Sequence, residues 1–314
     1  MGRAAIAIHG GAGAIARSAL SAQQEQAYRQ ALSDIVADGQ RILAAGGSAL
    51  DAVTEAVRQL EECPLFNAGK GSVFTHQGTH ELDACIMDGR SQDAGAVAGV
   101  ACIRNPILAA RAVLEKSPHV LLCGRGAEQF AEAQGLAPVA ADFFFTDARW
   151  QQLQRARASQ QTLLDHDGAA PLDSDRKLGT VGAVACDRAG HLAAATSTGG
   201  MTNKQVGRIG DSPLPGAGCF SNRRVAVSCT GTGEVFIRTL AAGDVAALME
   251  YGGLSLQQAS ERVIFDKIPA LGGSGGLIAI DAAGNIALPF NTEGRYRGYG
   301  YVDESPVVDI YRQA

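Results

Sequence analysis

The sequence has few aromatic residues, which make up 5% of its 314 residues and include a single tryptophan. Its seven cysteines are scattered, odd in number and without a Cys-x-x-Cys pair. This usage favours a reducing, cytoplasmic compartment over a disulfide scaffold. The apolar run at the start of the chain is too short for a signal peptide. No apolar run approaches the ~20 residues of a membrane span, so no membrane-embedded part is expected.

An excess of basic residues is also missing, since the formal net charge is −5 and the pI is near 5.7. This balance argues against nucleic acid or a membrane surface as a partner. Hydrophobic residues make up 46% of the chain and charged residues 19%, and there are 39 glycines. These proportions predict a soluble globular protein with close-packed strands of small residues and many tight turns.

Hydrophobic periodicity predicts both strands and helices along the chain. The expected strands are 4–8, 81–87, 94–103, 120–122, 181–186, 192–196, 225–229, 277–280 and 286–288. The expected helices are 23–45, a second one capped by Ser48, then 106–114, 126–133, 234–250 and 255–267. Because strands come in antiparallel pairs and helices in pairs, the sequence predicts an α+β fold. We expect two stacked antiparallel sheets with helices on the outside.

A change of composition marks the candidate nucleophile. Residues 165–177 are polar, lack an apolar period and indicate a mobile linker. They lead directly into Gly179-Thr180 and the apolar strand 181–186. A threonine hydroxyl can be activated by its own α-amine, whose unperturbed pKa is roughly 7.7–8.0. Thr180 could therefore attack the Gly179 carbonyl, cut the chain and become an N-terminal nucleophile. Because Gly-Thr-Val also opens ordinary strands, this hypothesis depends on its context.

Two glycine-rich segments after the nucleophile contain candidate binding groups. Arg208 and Asp211 lie three residues apart in a loop, where they could hold an amino acid by its carboxylate and its ammonium group. A surface ion pair explains that loop equally well. Residues 228–234 connect a strand to a helix. Backbone N–H groups and a hydroxyl at such a turn can form an oxyanion hole.

Two other motifs have simpler explanations. Gly-x-Ser-x-Gly at 272–276 resembles the nucleophile elbow of α/β-hydrolases, but that elbow leads into a helix, whereas the residues after it alternate like a strand. None of the six histidines follows Ser274 to complete a triad. His76 and His80 have the spacing of a helical zinc site. Gly78 and its neighbour instead indicate a turn that enters a strand.

Eight motifs in the same chain resemble the plant-type asparaginase and isoaspartyl aminopeptidase family of N-terminal-nucleophile hydrolases, and most closely its bacterial isoaspartyl peptidases. The resemblance covers nearly the whole chain. The motifs are His9-Gly10-Gly11-Ala12-Gly13, Phe66-Asn67-Ala68-Gly69, His80-Glu81-Leu82-Asp83-Ala84, Gly179-Thr180-Val181-Gly182-Ala183-Val184, Thr196-Ser197-Thr198-Gly199-Gly200, Gly207-Arg208-Ile209-Gly210-Asp211-Ser212-Pro213, Thr230-Gly231-Thr232-Gly233-Glu234 and Pro289-Phe290-Asn291-Thr292-Glu293-Gly294.

This resemblance implies a four-layer αββα sandwich that forms one domain over residues 1–314. It implies self-cleavage into an α chain, 1–179, and a β chain, 180–314, assembled as a homodimer of αβ units. The implied activity is hydrolysis of L-asparagine and of β-aspartyl dipeptides, with no cofactor in catalysis. Glycosylasparaginases of the same family and a non-catalytic binding protein of the same fold are the alternatives. An intact Gly179-Thr180 pair argues against the second.

The resemblance also implies roles for individual residues. The nucleophile is Thr180, Thr198 bonds near it, Thr230 and Gly231 form the oxyanion hole, Arg208 takes the substrate α-carboxylate, Asp211 and Gly233 take its α-amine, and Asn67 supports the nucleophile region. A structural sodium ion is implied on the main-chain carbonyls of Leu60, Glu61, Cys63, Phe66, Ala68 and Lys70. The lysine at position 70 departs from the bacterial pattern, and its ammonium group would oppose a nearby cation.

Overall fold

The structure is a computed structural model that describes residues 2–13, 15, 20–158 and 179–312. The predicted linker, 165–177, lies outside the described residues. Groups of strands and groups of helices follow one another along the described chain, and the strands form two sheets. The prediction of an α+β fold with two sheets is therefore confirmed.

The elements have the following bounds. The strands are β1 Ala5–Gly13, β2 Leu82–Asp88, β3 Ala94–Val100, β4 Leu121–Cys123, β5 Val181–Cys186, β6 Leu192–Thr198, β7 Cys219–Ser221, β8 Val225–Gly231, β9 Gly275–Asp281, β10 Ile286–Ala287, β11 Gly294–Tyr301 and β12 Val307–Tyr311. The α-helices are α1 Ala22–Ala44, α2 Ala49–Glu62, α3 Pro106–Lys116, α4 Gly124–Ala133, α5 Asp147–Ala158, α6 Gly233–Thr239, α7 Ala241–Glu250, α8 Leu256–Glu261 and α9 Ile268–Ala270. A π-helix over Arg262–Lys267 joins α8 to α9, and a 3-10 helix spans Ala141–Phe144.

The larger sheet has eight strands in the order β12-β11-β1-β5-β6-β2-β3-β4, and the smaller has four in the order β10-β9-β8-β7. Neighbouring strands are antiparallel except β3 and β4, which are parallel. Strand β5 is central in the larger sheet, and all six of its residues are buried. Their small and β-branched side chains suit a strand that is covered on both faces.

Three buried apolar clusters account for the packing. One joins α1, α2 and α3 to the larger sheet through residues such as Leu32 and Val53. A second joins the smaller sheet to α7 and α8. The third lies between the two sheets, where Val184 and Ile278 are fully buried. The two sheets therefore pack on each other and on helices, which buries the apolar residues of these three clusters.

Most predicted boundaries agree with the structure. Ser48 caps α2, with a reciprocal hydrogen-bond box that involves Asp51. The predicted helix 234–250 is wrong in one respect, because it is broken into α6 and α7 at Leu240, which has a left-handed backbone with φ of 49°. The sequence analysis also missed α5, β7, β11 and β12.

Two further observations concern the cysteines and the helices. All seven cysteines fall in the described part of the chain, and all are free thiols. None of the helices in that part is both long and apolar enough to cross a membrane.

Candidate active site

The residue before the candidate nucleophile is a glycine for a steric reason. Gly179 packs against Gly11, at the end of β1, so closely that a Cβ on Gly179 would lie 2.2 Å from the Gly11 Cα atom. Gly11 itself has φ of +106°, a conformation that favours glycine. The peptide bond between Gly179 and Thr180 lies directly before the first residue of the central strand β5.

The Thr180 hydroxyl contacts two other hydroxyls. Its Oγ1 atom lies 3.2 Å from the Thr198 Oγ1 atom and 3.2 Å from the Ser212 Oγ atom. Thr198 ends β6, which pairs with β5 so that Val181 lies opposite Ser197. The antiparallel register thus brings the two threonines to the same end of the sheet. Thr198 Oγ1 also accepts the Gly200 amide at 3.0 Å.

Asn67 holds the turn that follows Thr198. Its Nδ2 atom donates to the Gly200 carbonyl at 2.7 Å, and its own carbonyl accepts the Gly199 amide at 3.1 Å. Its Oδ1 atom accepts the Val73 amide at 2.9 Å. Asn67 therefore fixes the backbone of the turn after Thr198, which is a neighbour of the candidate nucleophile Thr180.

Thr230 and Gly231, at the end of β8, face the same cleft. Thr230 is 1% exposed, and its Oγ1 atom has no hydrogen-bond partner among the described residues. A buried hydroxyl without a partner is costly, so this one is available to a ligand. A Cβ on Gly231 would lie 2.4 Å from the Ser274 carbonyl oxygen. Glycine is therefore required where β8 passes close to the start of β9.

The predicted charged pair converges on the start of α6. A Cβ on Gly233 would lie 2.8 Å from Arg208 Nη2 and 3.0 Å from Asp211 Oδ1. The Arg208 side chain is held by Glu234, whose Oε1 atom lies 3.0 Å from Nε and 2.9 Å from Nη2. Glu234 was quoted in a motif but given no role. The sequence feature that could have indicated this role is its position directly after Gly233, in the first turn of a helix.

Burial sets the charge state of Asp211. The side chain is 3% exposed, and burial raises its pKa to about 7. Its own backbone amide and the Arg208 guanidinium oppose the rise, whereas Glu234 and Asp83 add to it. The Oδ2 atom has no hydrogen-bond partner in the described part of the chain. An ammonium ligand would satisfy this oxygen and favour the ionised carboxylate.

His9 lies beside the backbone of Thr180, the candidate nucleophile, as a neutral side chain. Burial, and then the charge of Arg295, lower its pKa to about 3, although a hydrogen bond to the Thr180 backbone opposes them. Its Nε2 atom lies 2.9 Å from the Ser228 Oγ atom. A Cβ on Gly182 would lie 2.6 Å from that nitrogen, so small residues in β5 make room for the ring.

One cleft thus contains the predicted nucleophilic hydroxyl of Thr180, the guanidinium group of Arg208 and the carboxyl group of Asp211. It brings together Thr180, Thr198, Arg208, Asp211, Thr230 and Gly231. Ser212 also lines it, although the sequence analysis gave this serine no role. The arrangement can hold a zwitterion beside a nucleophilic oxygen.

The predicted cation loop, 60–70, begins at the end of α2 and turns back. The Glu61 carbonyl accepts the Lys70 amide at 2.7 Å. A Cβ on Gly71 would lie 2.9 Å from the Phe66 carbonyl oxygen, so this main-chain oxygen approaches Gly71 closely. The Lys70 side chain is exposed. All six predicted carbonyl groups lie in this segment: Leu60, Glu61, Cys63, Phe66, Ala68 and Lys70.

The two competing motifs have the expected structures. Ser274 leads into strand β9, as the alternation predicted, and no helix follows it. His80 packs on Phe74 with ring centroids 4.1 Å apart, and its Nδ1 atom lies 3.0 Å from the Ser72 Oγ atom. Within the described residues, no group of three or more His, Cys, Asp or Glu side chains could hold a metal ion.

Comparison with known proteins agrees with this class of site. A sequence model described as Asparaginase matches residues 2–310. The chain is 67% identical to an isoaspartyl peptidase of Salmonella typhimurium, over all of both proteins, and 66% identical to an isoaspartyl peptidase of Escherichia coli, over all of this chain and 98% of that protein. It is 41% identical to an isoaspartyl peptidase/L-asparaginase of Mus musculus, over 89% of this chain and 82% of that protein. The chain belongs to the asparaginase family.

Proposed function

We propose that this protein is a self-cleaving threonine amidohydrolase that acts on L-asparagine and on β-aspartyl dipeptides. The observation that carries the proposal is the position of the Thr180 hydroxyl, in one cleft with Arg208 and Asp211. Both substrates have an α-carboxylate, an α-ammonium group and an amide on the β-carboxyl carbon. The names of the similar bacterial and mouse proteins support the same substrates.

The first reaction cuts the chain itself. Thr180 Oγ1 attacks the carbonyl carbon of Gly179, the C–N bond breaks, and the nitrogen of Thr180 takes the hydroxyl proton and becomes a free amine. An ester then links Gly179 to Oγ1, and water hydrolyses it. The products are an α chain, 1–179, and a β chain that begins at Thr180. The close contact of Gly179 with Gly11 supports this step, because it holds the bond in place.

The second reaction uses the new N-terminus on substrate. Arg208 binds the α-carboxylate, while Asp211 and the Gly233 segment bind the α-ammonium group. The Thr180 amine takes the hydroxyl proton as Oγ1 attacks the β-carbonyl carbon, and it gives a proton to the departing ammonia or amino acid. The Thr230 hydroxyl and the Gly231 amide stabilise the oxyanion that forms. Water then hydrolyses the acyl ester and restores Thr180.

We also propose the finer architecture that the resemblance implies. The three apolar clusters, one between the sheets and one under each set of helices, support a four-layer αββα sandwich within a single domain. Two cleaved αβ units would form the homodimer. A sodium ion on the carbonyl oxygens of the 60–70 loop would stabilise that loop without taking part in the reaction, since hard cations prefer oxygen ligands.

The function is tested by intact mass spectrometry of the purified protein after incubation at neutral pH, followed by assays of hydrolysis. We expect two chains, the lighter one beginning at Thr180, and release of aspartate from L-asparagine and from β-aspartyl-leucine. Hydrolysis of a sugar–asparagine linkage with neither of these would instead indicate a glycosylasparaginase. A chain that never splits and hydrolyses nothing would mean a binding protein and would refute the proposal.

Asp211 gives substrate binding a predictable pH dependence. Because its folded pKa is about 7, the carboxyl group is neutral below that pH and cannot pair with an ammonium group. We expect the inhibition constant of L-aspartate to fall as pH rises from about 5 to about 8, by up to about tenfold per unit below the pKa. Steady-state inhibition of dipeptide hydrolysis measures it. In Asp211→Asn the inhibition constant of L-aspartate should be high and independent of pH. An inhibition constant that does not change with pH in the unaltered protein would contradict the assignment.

A further inference from the structure

Ser212 contacts the nucleophile as closely as Thr198 does. Its Oγ atom lies 3.2 Å from Thr180 Oγ1, and the residue is 1% exposed. Its backbone is restrained by Pro213, which disfavours a helical conformation at the preceding residue. The Asp211 carbonyl accepts the Leu214 amide at 3.0 Å, which closes a turn around Ser212 and Pro213. The serine is therefore held at the nucleophile by the same loop that carries Asp211.

The hydroxyl protons can be assigned by counting donors. A hydroxyl donates one hydrogen bond and accepts two. Thr180 Oγ1 donates to Thr198 Oγ1, which also accepts the Gly200 amide. With its only proton committed there, Thr180 can only accept from Ser212. The O–H group of Ser212 is thus the donor to the nucleophilic oxygen.

We propose that Ser212 is a catalytic residue whose hydroxyl stabilises Thr180 Oγ1 when that oxygen leaves the acyl-enzyme ester, an assignment that rests on the proposed threonine mechanism. In this step water attacks the ester carbonyl carbon, and one water proton goes to the Thr180 amine. The bond from carbon to Oγ1 then breaks. Oγ1 takes the electron pair and the proton held by the amine, and the product leaves as a carboxylic acid that ionises in water.

The contribution of Ser212 differs between the two halves of the reaction. An ester oxygen is a weak acceptor, whereas a departing oxygen that carries negative charge is a strong one, so the hydrogen bond strengthens during deacylation. During acylation, Thr180 Oγ1 starts as a hydroxyl that already accepts the hydrogen bond from Ser212. The transition state therefore gains little additional stabilisation from it. Losing the donor should therefore slow deacylation and spare acylation. By the same reasoning it should slow hydrolysis of the Gly179 ester in the uncut chain.

The test compares Ser212→Ala with the unaltered protein on β-aspartyl-leucine. Removal of one donor to a developing oxyanion lowers rates by about 10²–10³, so deacylation becomes rate-limiting. We expect kcat and KM to fall together by about 10²-fold while kcat/KM stays near its original value. Mass spectrometry of quenched β chain should show an aspartyl adduct on Thr180. Ser212→Thr, which keeps the hydroxyl, should restore kcat.

Ser221→Ala is the matched control, because Ser221 is fully buried in β7 and its hydroxyl has no partner among the described residues. It should leave all constants unchanged. If Ser212→Ala matures poorly, release of the α chain by hydroxylamine would reveal the accumulated Gly179 ester and support the role, whereas a resistant chain would overturn it. A parallel loss of kcat and kcat/KM without an adduct would also overturn it. An unaltered protein that neither splits nor hydrolyses would instead refute the proposed function.

Discussion

Replacing Thr180 by alanine should give a folded chain that stays uncut and has lost at least about 10⁴-fold of its hydrolytic rate. The substitution removes the oxygen that attacks Gly179 and the oxygen that attacks substrate. Without cleavage the α-amine does not exist, so the proposed base is lost as well. The side-chain hydrogen bonds of Thr180 reach only Thr198 and Ser212 in the described part of the chain, so stability should change little. Intact mass spectrometry and an assay with β-aspartyl-leucine measure both outcomes.

Thr180→Ser is the matched control for that loss. Serine keeps the hydroxyl and, after cleavage, the α-amine, but lacks the methyl group that restricts the χ1 angle of threonine. We expect this variant to split at the same bond and to retain measurable activity. If Thr180→Ala hydrolysed β-aspartyl-leucine at the original rate, a different group would have to be the nucleophile.

Replacing Arg208 by alanine should leave cleavage of the chain intact and weaken substrate binding strongly. Arg208 lies in a loop and bonds to Glu234, not to the hydroxyls around Thr180. The substrate carboxylate would lose a charge-assisted partner, and truncating one side of such a pair costs about 2–5 kcal/mol. We therefore expect KM to rise by about 10²-fold or more, with kcat changed far less. Steady-state kinetics and a mass spectrum of the two chains provide the measurement.

One variant at position 208 separates charge from geometry, and one elsewhere is a control. Arg208→Lys keeps the positive charge but loses the planar fork, so its KM should be intermediate. Arg223→Ala removes an exposed arginine that bonds only to the Arg90 carbonyl among the described residues, and its KM should stay unchanged. Normal substrate binding by Arg208→Ala would remove this residue from the site.

The local sequence was sufficient to predict those elements whose backbone conformation depends on neighbouring residues in the chain. The strand 181–186 was predicted with its observed bounds, because a continuous run of small and β-branched residues is bounded by glycine and a turn. The cap of α2 followed from Ser48 and Asp51 in the same way. Candidate binding residues were recognisable because each lies beside glycines that allow close approach of two segments.

Long-range packing explains the elements that were missed. Strand β11 carries Arg295, which is fully buried and donates to the carbonyl oxygens of Leu277 at 2.5 Å and Pro289 at 3.0 Å. Because lone charged residues are rarely fully buried, the arginine at this position argues against a buried strand when the sequence is considered alone. The break at Leu240 is likewise a tertiary effect. The Ala242 amide at the start of α7 donates to the Ala217 carbonyl at 3.1 Å, which takes the place of the preceding helical turn.

The sequence by itself determined the prediction that Thr180 is the nucleophile, because this residue follows a polar segment and a glycine, precedes the apolar strand 181–186 and lies in one of the eight motifs. Only the tertiary structure decided which groups surround that hydroxyl. Ser212 is 32 residues from Thr180 in the chain, and Glu234 is 26 residues from Arg208. Their contacts exist because β5 begins, and β6 and β8 end, at one cleft. Burial in that cleft also sets the pKa of Asp211, and desolvation depends on neighbours from the whole fold rather than on adjacent residues.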